Sequence, residues 1–497
     1  VRRARTLVLA ALAACAGCGG HATDSGSASA ATAHAAAGTP PAGRIAAGPH
    51  APAWTDAQVR ALQAKLNETL GASALATSGI AIVDDDGRPL FTRRDRVAYA
   101  PASTFKVLVA TTALQTLGPD YRFETRLEAA DDPVNGTIDG DLYLVGDGDP
   151  SLTSDDLRGG VGALARAGIT HVTGGLVADA TAFGGREVNP AWDPDDLQYD
   201  YAAGTSALSL DEGTVEFHLV PATVGAPATI VVRPPGNAVR VIGGVTTGYA
   251  TTLSIDRAAA TNDFTFEGSI AAGAEQSFYR PVIDQPLYVG NVARSMLQAR
   301  NITVDGPARV GVAPVVGRVL WVHRSAPLHA LLAHMLFVSD NHYAEQLLRA
   351  VGAHDGTLGT EHAGATVERA LLKRLGAPAD GLRVVDGSGL APTDRIEPLA
   401  LATLLAREAL GPTGTVLFDD LPRVGIEGTV RNRDVTTALG RARAKSGHIE
   451  NVNALVGYVQ TKRHGRVAFA IMVNDTRADD GPVDDGIDAT LDTLASQ

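Results

Sequence analysis

Ser103-Thr-Phe-Lys106 is the one Ser-x-x-Lys in the chain, and its two ends are the residue types best suited to nucleophilic chemistry. It opens an apolar run, Pro101-Ala-Ser-Thr-Phe-Lys-Val-Leu-Val-Ala110, which predicts the start of a buried helix. Three residues make about one helical turn, so the Ser103 hydroxyl and the Lys106 amine project from one face. A hydroxyl beside a group able to take its proton is the minimal unit of covalent catalysis. The base must be lysine and not arginine, because only an amine can be made neutral near pH 7 by burial and neighbouring charge. Of 42 basic residues only five are lysines, at positions 65, 106, 373, 445 and 462, so arginine carries most of the positive charge. Ser-x-x-Lys by itself also fits a solvated helix start, and the assignment needs partners.

Two further groups of polar residues offer them. Ser339-Asp-Asn341 ends the apolar stretch 328–338 and precedes Ala344-Glu-Gln-Leu-Leu-Arg349. A hydroxyl and an amide bracketing a helix junction can relay a proton and hold a substrate carbonyl, although Ser-Asp-Asn alone also reads as a helix cap. Lys445-Ser-Gly447 lies on a predicted strand, preceded by Arg443 and followed by His448. Gly447 would let another backbone approach closely, and Lys445 with Ser446 could grip a carboxylate. Alone, this motif reads as a solvated strand end.

The elements that must position these residues fall into three stretches. Thr55 offers a cap for a helix, and Gly79-Ile-Ala-Ile-Val-Asp-Asp-Asp-Gly-Arg-Pro-Leu-Phe-Thr92 reads as a strand, an Asp-Gly turn and a second strand. Between about 120 and 310, short β-type runs such as Gly140-Asp-Leu-Tyr-Leu-Val-Gly146 and Ala228-Thr-Ile-Val-Val-Arg233 alternate with Gly, Pro and Asp turns. Helices are predicted over 329–351, 360–376 and 397–410, strands over 442–448, 454–460 and 466–473, and a last helix over 483–495. The two outer stretches, 53–119 and 311–497, thus read as halves of one α/β (α+β) unit, with 120–310 a mainly β insertion of one or two nested modules.

The order Ser-x-x-Lys, Ser-x-Asn, Lys-Ser/Thr-Gly, with gaps of 236 and 106 residues, resembles the motif triplet of penicillin-recognising serine enzymes. The long first gap, filled by the insertion, is similar to that of the class C low-molecular-mass penicillin-binding proteins, the D-alanyl-D-alanine carboxypeptidase/endopeptidases. Further family-like stretches are Ser206-Ala-Leu-Ser209, Asp386-Gly-Ser-Gly-Leu390 and Ala454-Leu-Val-Gly-Tyr-Val459, and the resemblance runs from about 55 to 497. It implies a serine β-lactamase/DD-peptidase-like fold and these roles. Ser103 attacks the carbonyl of the penultimate D-alanine while Lys106 takes its proton. Ser339 and Lys445 relay a proton to the leaving D-alanine, and Asn341 binds the substrate amide. Lys445 and Ser446 hold the terminal carboxylate, and the N–H groups of Ser103 and His448 form the oxyanion hole. The implied partners are peptidoglycan peptides, with β-lactams as inhibitors. No cofactor or metal is implied, since the 13 histidines include no H-E-x-x-H and no Cys/His cluster.

Three positions depart from the family pattern. Ser446 stands where threonine is usual, and His448 where a small hydroxyl residue is common. The arginine that often follows the Asp-Gly-Ser-Gly-Leu stretch is replaced by Ala391-Pro-Thr-Asp-Arg395, which makes Arg395 the candidate for binding a free side-chain carboxylate. Trp192-Asp-Pro-Asp-Asp196 resembles the family's acidic pocket. Rival readings are a β-lactamase or esterase of the same superfamily, or a lipoprotein that binds peptidoglycan or β-lactam without turnover. A class A β-lactamase needs a short first gap, and a Ser-His-Asp hydrolase needs a Gly-x-Ser-x-Gly elbow, which Gly204-Thr-Ser206-Ala-Leu fails.

Composition and the N-terminal stretch give the address. A formal charge of −13 with no Lys/Arg block argues against a nucleic-acid partner. Arg2-Arg3-Ala-Arg5 followed by a short apolar stretch reads as an export signal, closing on Leu12-Ala-Ala-Cys15, which resembles a bacterial lipoprotein processing site. Residues 1–14 would be removed, Cys15 rather than Cys18 lipidated, and the Ala/Gly/Ser/Thr/Pro-rich 15–52 would be a tether. The expected location is the exported cell envelope, held to a membrane by the lipid alone.

Overall fold

Gly79-Ile-Ala-Ile-Val-Asp84 is almost wholly apolar, which suits a strand covered on both faces, and all six of its residues are buried. The structure, a computed structural model, describes residues 52–71, 74–273, 275–474 and 480–497. In it Gly79–Asp84 is an inner strand of a five-stranded antiparallel sheet. The spatial order is Ala442–Ile449, Val452–Gln460, Arg466–Asn474, Gly79–Asp84, Pro89–Arg93, so both ends of the chain build one sheet.

Helices cover both faces. Asp56–Gly71 and Asp480–Ala495 lie on one, where Leu62, Leu66 and Leu70, spaced at i, i+4, i+8, join Ile82, Leu455, Phe469 and Leu491 in a closed apolar cluster. Against the other face pack Pro398–Ala409 and a helical layer containing Lys106–Leu117. Every residue from Lys106 to Leu114 is buried, the signature of a helix surrounded on all sides. The helix expected over 329–351 is two helices, Leu328–Val338 and Asn341–Ala353. Ser339, in the left-handed conformation (φ 68°, ψ 38°), stops the first. Asp340 caps the second, its carboxylate accepting the Tyr343 N–H at 3.0 Å.

Strand pairing carries the fold of the expected insertion past residue 310. Its main sheet runs Ala308–Val310, Leu176–Asp179, Leu142–Gly146, Glu124–Ala129, Arg318–Arg324 in spatial order. Arg318–Arg324 pairs antiparallel with Glu124–Ala129, so a strand beyond 311 closes this sheet. Two helices, Ser154–Arg166 and Gln285–Ala299, pack in its core, so this module is more mixed than its β-type texture predicts. A smaller β part, carrying Thr214–Val220 and Asp263–Glu267, shares that core through Phe217, Phe264 and Phe266. The signal, the lipidation position Cys15 and the tether up to residue 51 lie outside the described residues.

Candidate active site

The helix Lys106–Leu117 is entered through a tight turn, Ala102–Phe105, in which Ala102 takes a left-handed φ of 46°. That conformation is costly for a residue with a side chain, and it turns the chain sharply just before Ser103. Ser103 is left half-buried while Lys106, one turn on, has no exposed surface.

Lys106 is held by three oxygens. Its Nζ lies 2.9 Å from Ser103 Oγ, 2.7 Å from Asn341 Oδ1 and 2.9 Å from the Ser388 carbonyl. Two of these three are carbonyl oxygens, which can only accept. A neutral amine has two N–H bonds and one lone pair, so the carbonyls take both N–H bonds and the lone pair is left for the Ser103 hydroxyl. Burial pushes the Lys106 amine down from 10.5 to about 8, against the pull of Asp386, Asp340 and Glu345. A base in that range is suited to work near neutral pH.

The Ser388 carbonyl is itself held from behind. Glu345, one turn into the helix Asn341–Ala353, accepts the N–H groups of Gly387 (3.0 Å) and Ser388 (2.8 Å) on one oxygen. Asp386 accepts from Gly389 N–H (2.7 Å), Ala391 N–H (2.6 Å) and the Trp192 indole (2.8 Å). Gly389, at φ 77°, packs so closely that a Cβ there would stand 2.0 Å from the Ala102 carbonyl. The loop therefore locks against the turn that carries the nucleophile.

Lys445-Ser-Gly447 forms the other wall. Ala442–Ile449 is the edge strand of the sheet, and a Cβ on Gly447 would fall 2.7 Å from Pro101 O, 2.8 Å from Thr104 N and 3.0 Å from Ser103 N. All three are backbone atoms, so only glycine lets the strand come this near. The Ala444 N–H leaves the strand outward, to Pro422 O at 3.0 Å. N–H groups alternate sides along a strand, so those of Ser446 and His448 face the same outer edge, the nucleophile's side. Lys445 is fully buried and bonds the Ser446 carbonyl at 2.7 Å. Burial, and then the neighbouring Lys106 charge, push its amine well below 10.5, because two adjacent buried ammonium groups cannot coexist.

The remaining expected residues stand close by, with different partners. Asn341 gives its amide N–H to the Tyr201 carbonyl at 2.8 Å, which ties the insertion to the site. Ser446 Oγ donates to Thr429 Oγ1 at 2.8 Å. Ser339 sits two residues before Asn341 but, among the described residues, no hydrogen bond joins it to Ser103, Lys106 or Lys445. The exposed His448 follows Gly447 on the same strand. Arg395 donates to the Pro392 (2.8 Å) and Asp394 (2.6 Å) carbonyls of its own loop. Of Trp192-Asp-Pro-Asp-Asp196, the tryptophan braces Asp386, while Asp196 accepts from the Tyr201 hydroxyl at 2.8 Å. Reasoning from sequence gave no role to Ser388, Glu345, Asp386 or Tyr201. The first three lie inside stretches that carry the family resemblance, but Tyr201 acts through its backbone and leaves no side-chain signal.

A half-buried serine beside a fully buried lysine, with an amide from one helix junction and a lysine-bearing edge strand, is an arrangement suited to serine acyl transfer. The chain belongs to the D-Ala-D-Ala carboxypeptidase 3 (S13) family, whose model matches residues 62–497. It is a low-molecular-mass class C penicillin-binding protein, a serine-type carboxypeptidase. The D-alanyl-D-alanine carboxypeptidase of Actinomadura sp. (strain R39) is 33% identical over 419 residues, covering 80% of this chain and 78% of that one. A carboxypeptidase of Mycobacterium tuberculosis is 30% identical over 413 residues, 78% of this chain and 74% of that one. Penicillin binding protein 4 from Haemophilus influenzae shares the fold, with a TM-score of 0.76 at 23% identity over 87% of this chain and 99% of that one.

Proposed function

We propose that the chain is a serine D-alanyl-D-alanine carboxypeptidase/endopeptidase of peptidoglycan stem peptides and cross-links, with Ser103 as nucleophile and Lys106 as its base. The observation that carries this reading is the three-oxygen cradle of Lys106, which leaves the neutral amine one lone pair, directed at Ser103 Oγ. Ser103 attacks the carbonyl carbon of the penultimate D-alanine and its proton passes to Lys106. Main-chain N–H groups of Ser103 and His448 hold the developing oxyanion, a contribution of about 3 kcal/mol per donor. The carbon–nitrogen bond breaks, and the amine of the departing residue takes a proton by way of Ser339 and Lys445. Asn341 orients the substrate amide, and Lys445 with Ser446 receives the terminal carboxylate. Water then cleaves the ester and restores the Ser103 hydroxyl.

A β-lactam would enter the same reaction and stay. Its leaving group remains tethered, whereas a released D-alanine departs and opens a path for water. A structure of penicillin binding protein 4 from Haemophilus influenzae complexed with a β-lactam is known in this fold (TM-score 0.69). Release of D-alanine from peptides should outrun penicillin turnover by several orders of magnitude, that is about 4 kcal/mol and upward at about 1.4 kcal/mol per tenfold. Steady-state and stopped-flow rates on one preparation decide between the readings. Penicillin hydrolysed at a rate comparable to the peptide would make this a β-lactamase on a long scaffold. The lipid anchor on Cys15 is part of the same proposal and rests on Leu12-Ala-Ala-Cys15.

A further inference from the structure

A second group of side chains gathers beside Asn341, the partner of Lys106. Glu212 enters from the insertion on the short turn Asp211–Gly213. His334 comes from the helix Leu328–Val338, and Asp340 is the residue between Ser339 and Asn341. His334 Nε2 stands 3.8 Å from Glu212 Oε1 and 3.6 Å from Asp340 Oδ2. One ligand atom from each of the three lies within 4.8 Å of the others.

Charge and geometry both suit a cation there. The carboxyl groups of Glu212 and Asp340 converge on a single imidazole, with Asp200 and Asp211 nearby. Asp340 Oδ1 is taken by the Tyr343 N–H, which turns Oδ2 toward His334. The His334 ring leans on the Tyr343 ring, with centroids 4.7 Å apart, which restrains its plane. The Asp340 side chain is 11% exposed, while those of His334 and Glu212 are 42% and 49% exposed, so the group is anchored at its base and open at its mouth. Donors bonded at about 2.0–2.2 Å to a tetrahedral zinc ion stand about 3.3–3.6 Å from one another, and the two separations from His334, 3.8 and 3.6 Å, lie at or just above that range. Calcium and magnesium prefer all-oxygen shells of six or more, whereas an imidazole selects a transition metal.

We propose that Glu212, His334 and Asp340 bind one zinc-type divalent transition-metal ion, with the remaining coordination position open to water. The ion fastens the insertion to the Ser339–Asn341 turn and so positions Asn341 against Lys106. Its three ligands are spread over residues 212 to 340, which is why no local His/Cys motif announces it.

The test uses the full chain with Cys15→Ser and Cys18→Ser, so that no thiol competes for zinc. After chelator treatment it is titrated with Zn2+ by calorimetry, with metal content and thermal melting read in parallel. The expected result is one saturable equivalent, a rise in melting temperature on binding, and at least tenfold weaker binding in His334→Ala and in Glu212→Gln. His362→Ala, at an exposed histidine on another helix, should bind as the parent does. Calcium or magnesium should not substitute. No saturable binding, equal binding in the parent and both ligand variants, or equally tight calcium binding would each overturn the site, the first favouring a proton shared between the two carboxylates. Glu212→Gln changes only an exposed side chain, so the test stands even if His334→Ala folds poorly. Since the readout is metal and not turnover, its outcome leaves the acyl-enzyme reading untouched.

Discussion

A lysine amine taken from an ordinary value of 10.5 to about 8 has lost roughly 3–4 kcal/mol of its preference for the charged form. Burial does this, and the nearby carboxylates Asp386, Asp340 and Glu345 keep the loss from going further. The proton equilibrium is therefore set where the protein works. Lys106 acts only when neutral, so acylation of Ser103 should rise with pH as the amine loses its proton. We expect an increase of about tenfold per unit between pH 6 and 7, bending over near pH 8, in second-order acylation rates with a fluorescent penicillin. A flat profile over that range would mean that the amine is already neutral at pH 6. Lys106→Arg should abolish both the rate and the bend, since guanidinium cannot give up its proton.

At the scale of elements, three pieces from distant parts of the chain meet at one turn. The edge strand Ala442–Ile449 approaches at Gly447, the loop after Val385 locks in at Gly389, and the junction of two helices supplies Asn341. Gly447→Ala should cut acylation by well over tenfold, because the new methyl meets backbone atoms of residues 101, 103 and 104 that have no rotamer to move. The same variant should melt within a few degrees of wild type, since the damage is confined to an edge strand. Near-normal acylation would show that the strand can withdraw at little cost. Much of this arrangement was legible beforehand. The closing strands were placed to within a residue or two, and the spaced Ser, Asn and Lys motifs gave the polar groups around the turn. The break at Ser339 was not, because Leu328–Val338 and Asn341–Ala353 are both apolar enough to read as one helix, and the stop lies in a backbone angle. Ser154–Arg166 was hidden for a different reason: its Gly159, Gly160 and Gly162 are poor helix formers, and only tertiary packing and the Thr153–Asp156 capping box hold it.

For the whole molecule, the insertion is fixed to the helix that presents Asn341. Gln346 donates to Ser206 O (2.8 Å), Arg349 to Gly184 O (3.2 Å) and Thr205 O (3.4 Å), and Asn189 reaches back to Val385 O (2.8 Å). Residues 184–206 thereby become one wall of the site. The pairing of Arg318–Arg324 with Glu124–Ala129 was not legible, because strand pairing over so long a separation in sequence has no local signature. Among the described residues no helix is long and apolar enough to cross a membrane. Our proposal for membrane attachment rests on Leu12-Ala-Ala-Cys15, at the far end of a stretch rich in small residues. Wild-type protein should sediment with membranes and take up a fatty-acid analogue, and Cys15→Ser should do neither. An unlabelled wild type would rule out the anchor without touching the chemistry.

The central claim, that Ser103 becomes covalently acylated, is met most directly by intact-protein and peptide mass spectrometry after brief exposure to a penicillin. We expect wild-type protein to gain one penicillin mass, localised to the peptide that contains Ser103, and folded Ser103→Ala to gain none. An adduct on another residue, or an adduct that survives in folded Ser103→Ala, would contradict the assignment.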